Sequence, residues 1–245
     1  MIYPAIDLMD GGCVRLFKGD FDLRTNYDGA PTDVAASFAK AGAKWVHIVD
    51  LDGARTENAA QTDLIIEIAK STPINVQTGG GIRNADQIAK LLNGGVSRVV
   101  LGSIAVTDPL TVMSWMDKFG ADKFCLAFDV HINEAGVARP ALKGWTQSAS
   151  TDLLSIIKRY SAYDYGALLV TDIAKDGVLL GPNVELYRNL LARFPNAPLI
   201  TSGGVGKLDD VKALKSLSPY GIIIGKALYE NKFTLEEAIT CSPSE

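Results

Sequence analysis

Four aspartates and four glycine turns recur at matching places in the two halves of the chain. Asp7 in AIDL and Asp129 in AFDV lie 122 residues apart, as do Asp50 in HIVDLDGAR and Asp172 in LVTDIAKDG. Gly80-Gly81-Ile82 of VQTGGGIRN matches Gly203-Gly204-Val205 of LITSGGVGK at an offset of 123, and VVLGSIA around Gly102 matches IIIGKAL around Gly225 at the same offset. Carboxylates give or take protons. Glycines supply positive φ and let backbone amides approach an anion closely. A lone glycine cluster is as well explained by a tight turn; a duplicated pair, each following an apolar run, points to two anion cradles. The repeat is far longer than the roughly 20 to 50 residues of a solenoid unit, so the halves must form one closed object.

The elements that would carry these residues are short and regular. Apolar runs rich in β-branched residues predict strands near 2–7, 45–50, 74–78, 97–101, 123–129, 166–171, 198–202 and 220–224. Helical patterns such as PTDVAASFAKAG, NADQIAKLLNGG and KLDDVKALKSL lie between them, opened by polar caps or proline and several of them closed by glycine. Eight strand-helix units in 245 residues describe an α/β fold, a (βα)8 barrel, better than an open doubly wound sheet. A dinucleotide-binding sheet would carry its glycine fingerprint after the first strand, where this chain has DLMDGG. No linker divides the sequence, so we read one domain, 1–245, made of half-barrels 1–122 and 123–245.

In such a barrel the active site lies at the carboxyl ends of the strands. The aspartates and glycine turns all fall there. Glycine loops follow the third and fourth strands in one half and the seventh and eighth in the other, on opposite rims of a barrel about 15 Å across. A ligand filling both cradles, roughly 15 to 20 Å apart, would be elongated, with a phosphate at each end. Asp7 and Asp129 end the opposed first and fifth strands, leaving roughly 8 to 10 Å between carboxyls, room for a sugar ring with one carboxylate on each face. Thr171 could hold Asp129 or donate to a ring oxygen. Asp176 fits a turn as well as it fits the site, His47 fits the core as well as the mouth, and Trp145 beside Lys143 could stack on a heteroaromatic ring or pack its own loop.

Bulk composition excludes several classes. The chain is 47% hydrophobic and 21% charged, ordinary for a soluble globular domain, and a formal charge of −4 argues against nucleic-acid binding. MIYPAIDLMD lacks the basic and long apolar segments of an export signal or membrane span, so a cytoplasmic protein with no membrane association is expected. Cys13, Cys125 and Cys241 are scattered, and the two histidines belong to no ligand-spaced cluster. Neither a disulfide framework nor a metal site is indicated. GGVGK lacks the spacing and hydroxyl residue of a nucleotide-binding P-loop.

The segments PAIDLMDGGCVRLFKGD, HIVDLDGA, VQTGGGIR, VVLGSIAV, FDV, GWTQ, TDIAKDGVLLGPN, SGGVG and IIIGKALYE carry a specific resemblance over essentially the whole length. The sequence resembles the phosphoribosylformimino-aminoimidazole carboxamide ribotide isomerases of histidine biosynthesis. The resemblance implies a (βα)8 barrel that converts the aminoaldose ProFAR to the aminoketose PRFAR by an Amadori rearrangement; that chemistry needs no cofactor, and a monomer is expected. It implies Asp7 as the base that takes the C2 proton, Asp129 as the acid that opens the ribose ring, and Thr171 and Asp176 as supporting groups. Gly80, Gly81, Gly102 and Ser103 match one phosphate site, and Gly203, Gly204, Gly225 and Lys226 the other. Trp145 matches a loop residue that covers the substrate. Arg15 and Arg83 match family positions whose division between substrate binding and loop closure stays open, and Gly19 falls in the first loop.

The sister cyclase of the same pathway shares the repeat and the opposed aspartates but has cysteine two residues before its first aspartate, where this chain has Ala5. The sequence is also compatible with an isomerase that accepts phosphoribosylanthranilate as a second substrate, and with a non-catalytic barrel that binds sugar phosphates. Closure of the first, fifth and sixth loops over the substrate is expected, since a Schiff base must be shielded from water.

Overall fold

The computed structural model describes residues 1–17, 20–56, 60–142 and 145–243. Among them are twelve strands: β1 (Ile2–Met9), β2 (Gly12–Phe17), β3 (Asp20–Tyr27), β4 (Trp45–Asp50), β5 (Asn75–Gly79), β6 (Arg98–Leu101), β7 (Phe124–Ile132), β8 (Ala138–Leu142), β9 (Gln147–Ser148), β10 (Ala167–Asp172), β11 (Leu199–Ser202) and β12 (Gly221–Ile224). Successive side chains of a strand point to opposite faces. In β1, Ile2, Ile6 and Leu8 join the large core beneath the helices, while Tyr3 and Ala5 join a smaller core with Val100, Cys125, Ala167, Leu169, Ile200 and Ile223. Two separate cores on the two faces of one sheet are what a barrel requires: helices outside, a filled interior within.

Ring closure is explicit in the pairing. Parallel neighbours run β1, β4, β5, β6, β7, β10, β11, β12 and back to β1. This is the α/β (βα)8 barrel expected from the sequence, with strand ends displaced by a residue or two and β7 ending three residues later. β1 and β7 stand four places apart in either direction, hence diametrically opposed. So do β5 and β11, and β6 and β12.

Helices cover the outer face through apolar stripes. The helix Ala85–Asn93 buries Ile88 and Leu91 and is opened by Asn84, whose side chain accepts from the Gln87 amide. Its counterpart Leu208–Ser216 buries Val211 and Leu214. Lys207 has no acceptor with which to cap that helix. In its place the Asp210 carboxylate accepts from the Gly206 and Lys207 amides, as Gln87 does from those of Arg83 and Asn84. Pro31 opens Pro31–Lys40 without a side-chain cap. Among the described residues no helix is long and apolar enough to cross a membrane.

Two additions sit at the barrel mouth. β1 runs past the ring and turns back through Asp10 and Gly11, both with positive φ, into β2 and then β3. β7 likewise overruns and folds back into β8 and β9. Each opposed strand therefore carries its own antiparallel flap.

Candidate active site

Asp7 faces the barrel interior because it follows Tyr3 and Ala5 at the inward period of β1. Beside it, β2 pairs Val14 with Asp7, and the next residue, Arg15, donates through Nη1 to Asp7 Oδ2 at 2.7 Å. The side chains of both are largely buried, 13% and 12% exposed. The guanidinium lies against the turn that ends β12, for a Cβ on Gly225 would stand 2.6 Å from Arg15 Nη2. Burial pushes the Asp7 carboxyl above its usual range, Arg15 pulls it back, and the charge of Asp176 pushes it up again.

Asp129 occupies the opposed position on β7, and its partners are neutral. Trp145 Nε1 donates to Asp129 Oδ2 at 2.9 Å. Thr171, in register with Asp129 on β10, hydrogen-bonds the same carboxylate. Burial raises the Asp129 pKa, these two donors oppose the rise, and Asp176 adds to it. Trp145 is half-buried, and it is pinned twice, since His131 Nε2 lies 3.3 Å from its carbonyl oxygen. Asp176 follows β10, its amide donating to the carbonyls of Asp172 and Ile173 at 3.2 and 3.3 Å. Its charge reaches Asp7, Asp129 and Arg15 alike.

The glycine turns repeat in conformation as they do in sequence. Gly80 and Gly81 have φ of 117° and 69°, Gly203 and Gly204 of 90° and 88°. Gly102 (φ −98°, ψ −105°) and Gly225 (φ −113°, ψ −97°) open the short helices Ser103–Thr107 and Lys226–Tyr229. Each accepts at its carbonyl from the amide three residues on, Ala105 at 2.9 Å and Leu228 at 3.0 Å. The chain's own backbone already demands two of these glycines. A Cβ on Gly80 would lie 2.1 Å from the Asp50 carbonyl oxygen, and one on Gly204 2.5 Å from that of Gly181. Ser103 and Lys226 are equivalent first residues of their helices. The Lys226 ammonium spans to the Gly177 carbonyl at 3.0 Å and to Glu230 at 3.5 Å. Arg83 is exposed beside the first-half turn, with Nη1 donating to the Ile82 carbonyl. Gly19, Lys143 and Gly144 lie outside the described residues.

The other pair of strand-end aspartates is structural. Asp50 accepts from the amides of Gly53, Ala60 and Gln61 at 2.7 to 2.8 Å. Asp172 accepts from the Ala174 amide and from Asn183 Nδ2. Both carboxylates hold the loop that follows their own strand.

A family model described as "Histidine biosynthesis protein" matches residues 1–234. The chain belongs to this histidine biosynthesis family. Among its curated relatives, one from Shewanella frigidimarina is 48% identical over all of both chains, and one from Aliivibrio fischeri 45% identical over all of both. A third, from Francisella philomiragia, is 47% identical over 98% of this chain and 99% of its own. Each of the three is named 1-(5-phosphoribosyl)-5-((5-phosphoribosylamino)methylideneamino)imidazole-4-carboxamide isomerase.

Within this histidine biosynthesis protein the two flaps are the part that strand-helix counting misses. Asp10-Gly11 between alternating residues is a two-residue hairpin signal, and it is present in MDGGCV. The second omission is the rest of a polar row inside the barrel: Gln77 and Arg98 are buried with His47, in register on adjacent strands β4, β5 and β6. Their signal is a polar residue at the inward period of an otherwise apolar strand.

Proposed function

We propose that this protein is an aldose-ketose isomerase that carries out the Amadori rearrangement of ProFAR to PRFAR in histidine biosynthesis. The observation that carries this is the unequal treatment of two opposed carboxylates. A cation 2.7 Å from Asp7 favours its ionised form and makes it the natural base. Neutral donors around Asp129, in a buried setting, leave its protonated form accessible and make it the natural acid.

The reaction then follows from proton positions. Asp129 protonates the ribose ring oxygen, the C1–O bond breaks, and the amine nitrogen's lone pair forms a Schiff base. The cationic nitrogen acidifies the C2 proton, Asp7 removes it, and the electron pair forms the C1=C2 double bond of an enol. Loss of the enol proton and protonation at C1 complete the aminoketose. Carboxylates supply every transfer, so the chemistry calls for no cofactor. Thr171 orients Asp129, and Asp176 adds negative charge near the cationic intermediate. The opposed turns at Gly80, Gly81, Gly102 and Ser103 and at Gly203, Gly204, Gly225 and Lys226 fit the two phosphates of the elongated substrate. The names of the relatives support the same activity.

Turnover of the aldose by purified protein in ammonia-free buffer is the test. Conversion to the ketose is expected; a requirement for ammonia, as in the cyclase, would overturn the assignment.

A further inference from the structure

The hairpin that carries Arg15 is fastened from outside. Asp10 and Gly11, with φ of 51° and 78°, form the two-residue turn between β1 and β2, where Met9 pairs with Gly12. The flanking pair makes the last hydrogen bonds of the ladder, so the Asp10 amide is left to an acceptor elsewhere. Asp52 supplies it: Oδ2 accepts from the Asp10 amide at 2.8 Å and from Gln61 Nε2 at 2.6 Å. The Asp52 side chain is 13% exposed. An ionised carboxylate only accepts, so both bonds are charge-assisted and Gln61 faces it with its amide nitrogen. The backbone amide of Gln61 is itself held by Asp50 at 2.8 Å, as is that of Gly53 at 2.7 Å. Gly53 packs on the Gly80 turn, for a Cβ there would stand 2.8 Å from the Gly80 carbonyl oxygen. The first flap is thus tied to the loop after β4, and that loop to a glycine turn.

The duplication separates this contact from the scaffold. Asp50 and Asp172 recur at an offset of 122, and each holds its own loop. At the same offset of 122, Asp52 becomes Ala174, Asp10 becomes Ile132 and Arg15 becomes Val137. In the second half Ile132 continues β7 opposite Ala138, and Asn133 closes the turn that follows by accepting from the Val137 amide at 2.9 Å. Tether and cation occur together in one half and are replaced together in the other.

Resting on the isomerase reading above, we propose that Asp52 is a positioning residue of the reaction: by holding the Asp10 amide it keeps β2 against β1 and the Arg15 guanidinium on the Asp7 carboxylate. It touches no reacting atom. Arg24, which donates to the Asp10 carboxylate at 2.6 Å, cannot substitute for it. That pair is solvent-exposed on both sides and worth little, and Arg24 lies on β3, within the flap itself.

The pH profile of kcat/KM for aldose turnover tests this, because its acid limb reports the base of the free enzyme. Asp7 interacts with Arg15 and Cys13 on β2, Tyr27 on β3, Asp176 after β10 and Tyr229 after β12, and Arg15 is the cation of this set. Asp52→Ala should move the acid limb to higher pH by about half a unit or more, and no further when Arg15→Met is already present. An unmoved limb, or an equal added shift in the Arg15→Met background, overturns the proposal. So does a shift to lower pH, which is what removal of a carboxylate charge by itself produces. Asp52→Asn keeps an oxygen for the Asp10 amide and should retain the wild-type limb; an asparagine variant that behaves like alanine also overturns it. Should the alanine variant not fold, Asp52→Ser, whose oxygen sits one bond nearer the backbone, takes its place under the same expectations. Amide hydrogen exchange reads the tether without turnover. The amides of Gly12 to Leu16 should exchange about tenfold faster in Asp52→Ala than in wild type, with β5 to β7 unchanged; unaltered exchange in β2 overturns the proposal. Absence of aldose turnover by the wild type would overturn the isomerase reading and the positioning role with it, while exchange reports separately whether Asp52 holds the flap.

Discussion

Arg15 donates to Asp7 at 2.7 Å from a strand that runs back along β1. The Asp7 carboxylate and its cation are thus products of one hairpin, set by the Asp10-Gly11 turn. Asp7→Asn, nearly isosteric, should lower kcat by on the order of 10² to 10⁴ while the bisphosphate substrate still binds. Turnover within threefold of wild type would remove Asp7 from the chemistry. Arg15 also lowers the Asp7 pKa against the pull of burial. Arg15→Met should therefore move the acid limb of kcat/KM to higher pH, and an unmoved limb would separate the cation from the base.

Asp129 connects activity to stability. Burial raises its folded pKa above the ordinary 3.8. The folded state therefore holds the proton more tightly, and the stability this gives is present below about pH 3.8 and lost as pH rises through the folded pKa. Asp129→Asn should consequently melt above wild type at neutral pH, by on the order of a few degrees. The gap should widen from pH 4 upward while kcat collapses. A variant that melts lower than wild type at pH 7 would mean that the ionised carboxylate stabilises the fold.

The glycine turns make two kinds of demand. Gly80→Ala forces a Cβ against the Asp50 carbonyl at positive φ, so it should lower the melting temperature whatever is bound. Gly102 has no atom closer than 3.8 Å to such a Cβ. Gly102→Ala should leave stability near wild type and raise KM. Calorimetry with inorganic phosphate should show two sites in the empty protein, both lost in the presence of substrate; displacement of one ion alone would leave one cradle without a role.

The barrel was legible in the sequence because its interior strands are buried on both faces and read as mainly apolar runs, several rich in β-branched residues, from WVHIV to IIIG. The Asp7 and Asp129 pair was legible through the internal offset. The flaps were not, because β2, β3, β8 and β9 pair on the margins of the mouth, and their mixed polar and apolar residues resemble loops. The partners of Asp7 and Asp129 are tertiary contacts that no spacing announces.

Trp145 ties loop position to the Asp129 carboxylate. Its indole N–H is given to Asp129, and stacking on an imidazole carboxamide would require the ring to reorient. Substrate should change the fluorescence of wild type, and Trp145→Phe should reduce that change against the constant background of Trp45 and Trp115. Trp145→Ala should cost roughly 1 to 3 kcal/mol in kcat/KM, as for a base stacked on an aromatic ring. An unaltered signal in the phenylalanine variant together with unimpaired kinetics in the alanine variant would restrict Trp145 to packing its loop.

The most direct test is proton NMR of the bisphosphorylated aminoaldose incubated with purified protein in ammonia-free deuterated buffer. Two carboxylates acting as acid and base predict loss of the aldose signals and appearance of the aminoketose with wild type, and neither with the protein carrying both Asp7→Asn and Asp129→Asn. Failure of wild type to form the ketose, or ketose formation by the double variant at the wild-type rate, would contradict it.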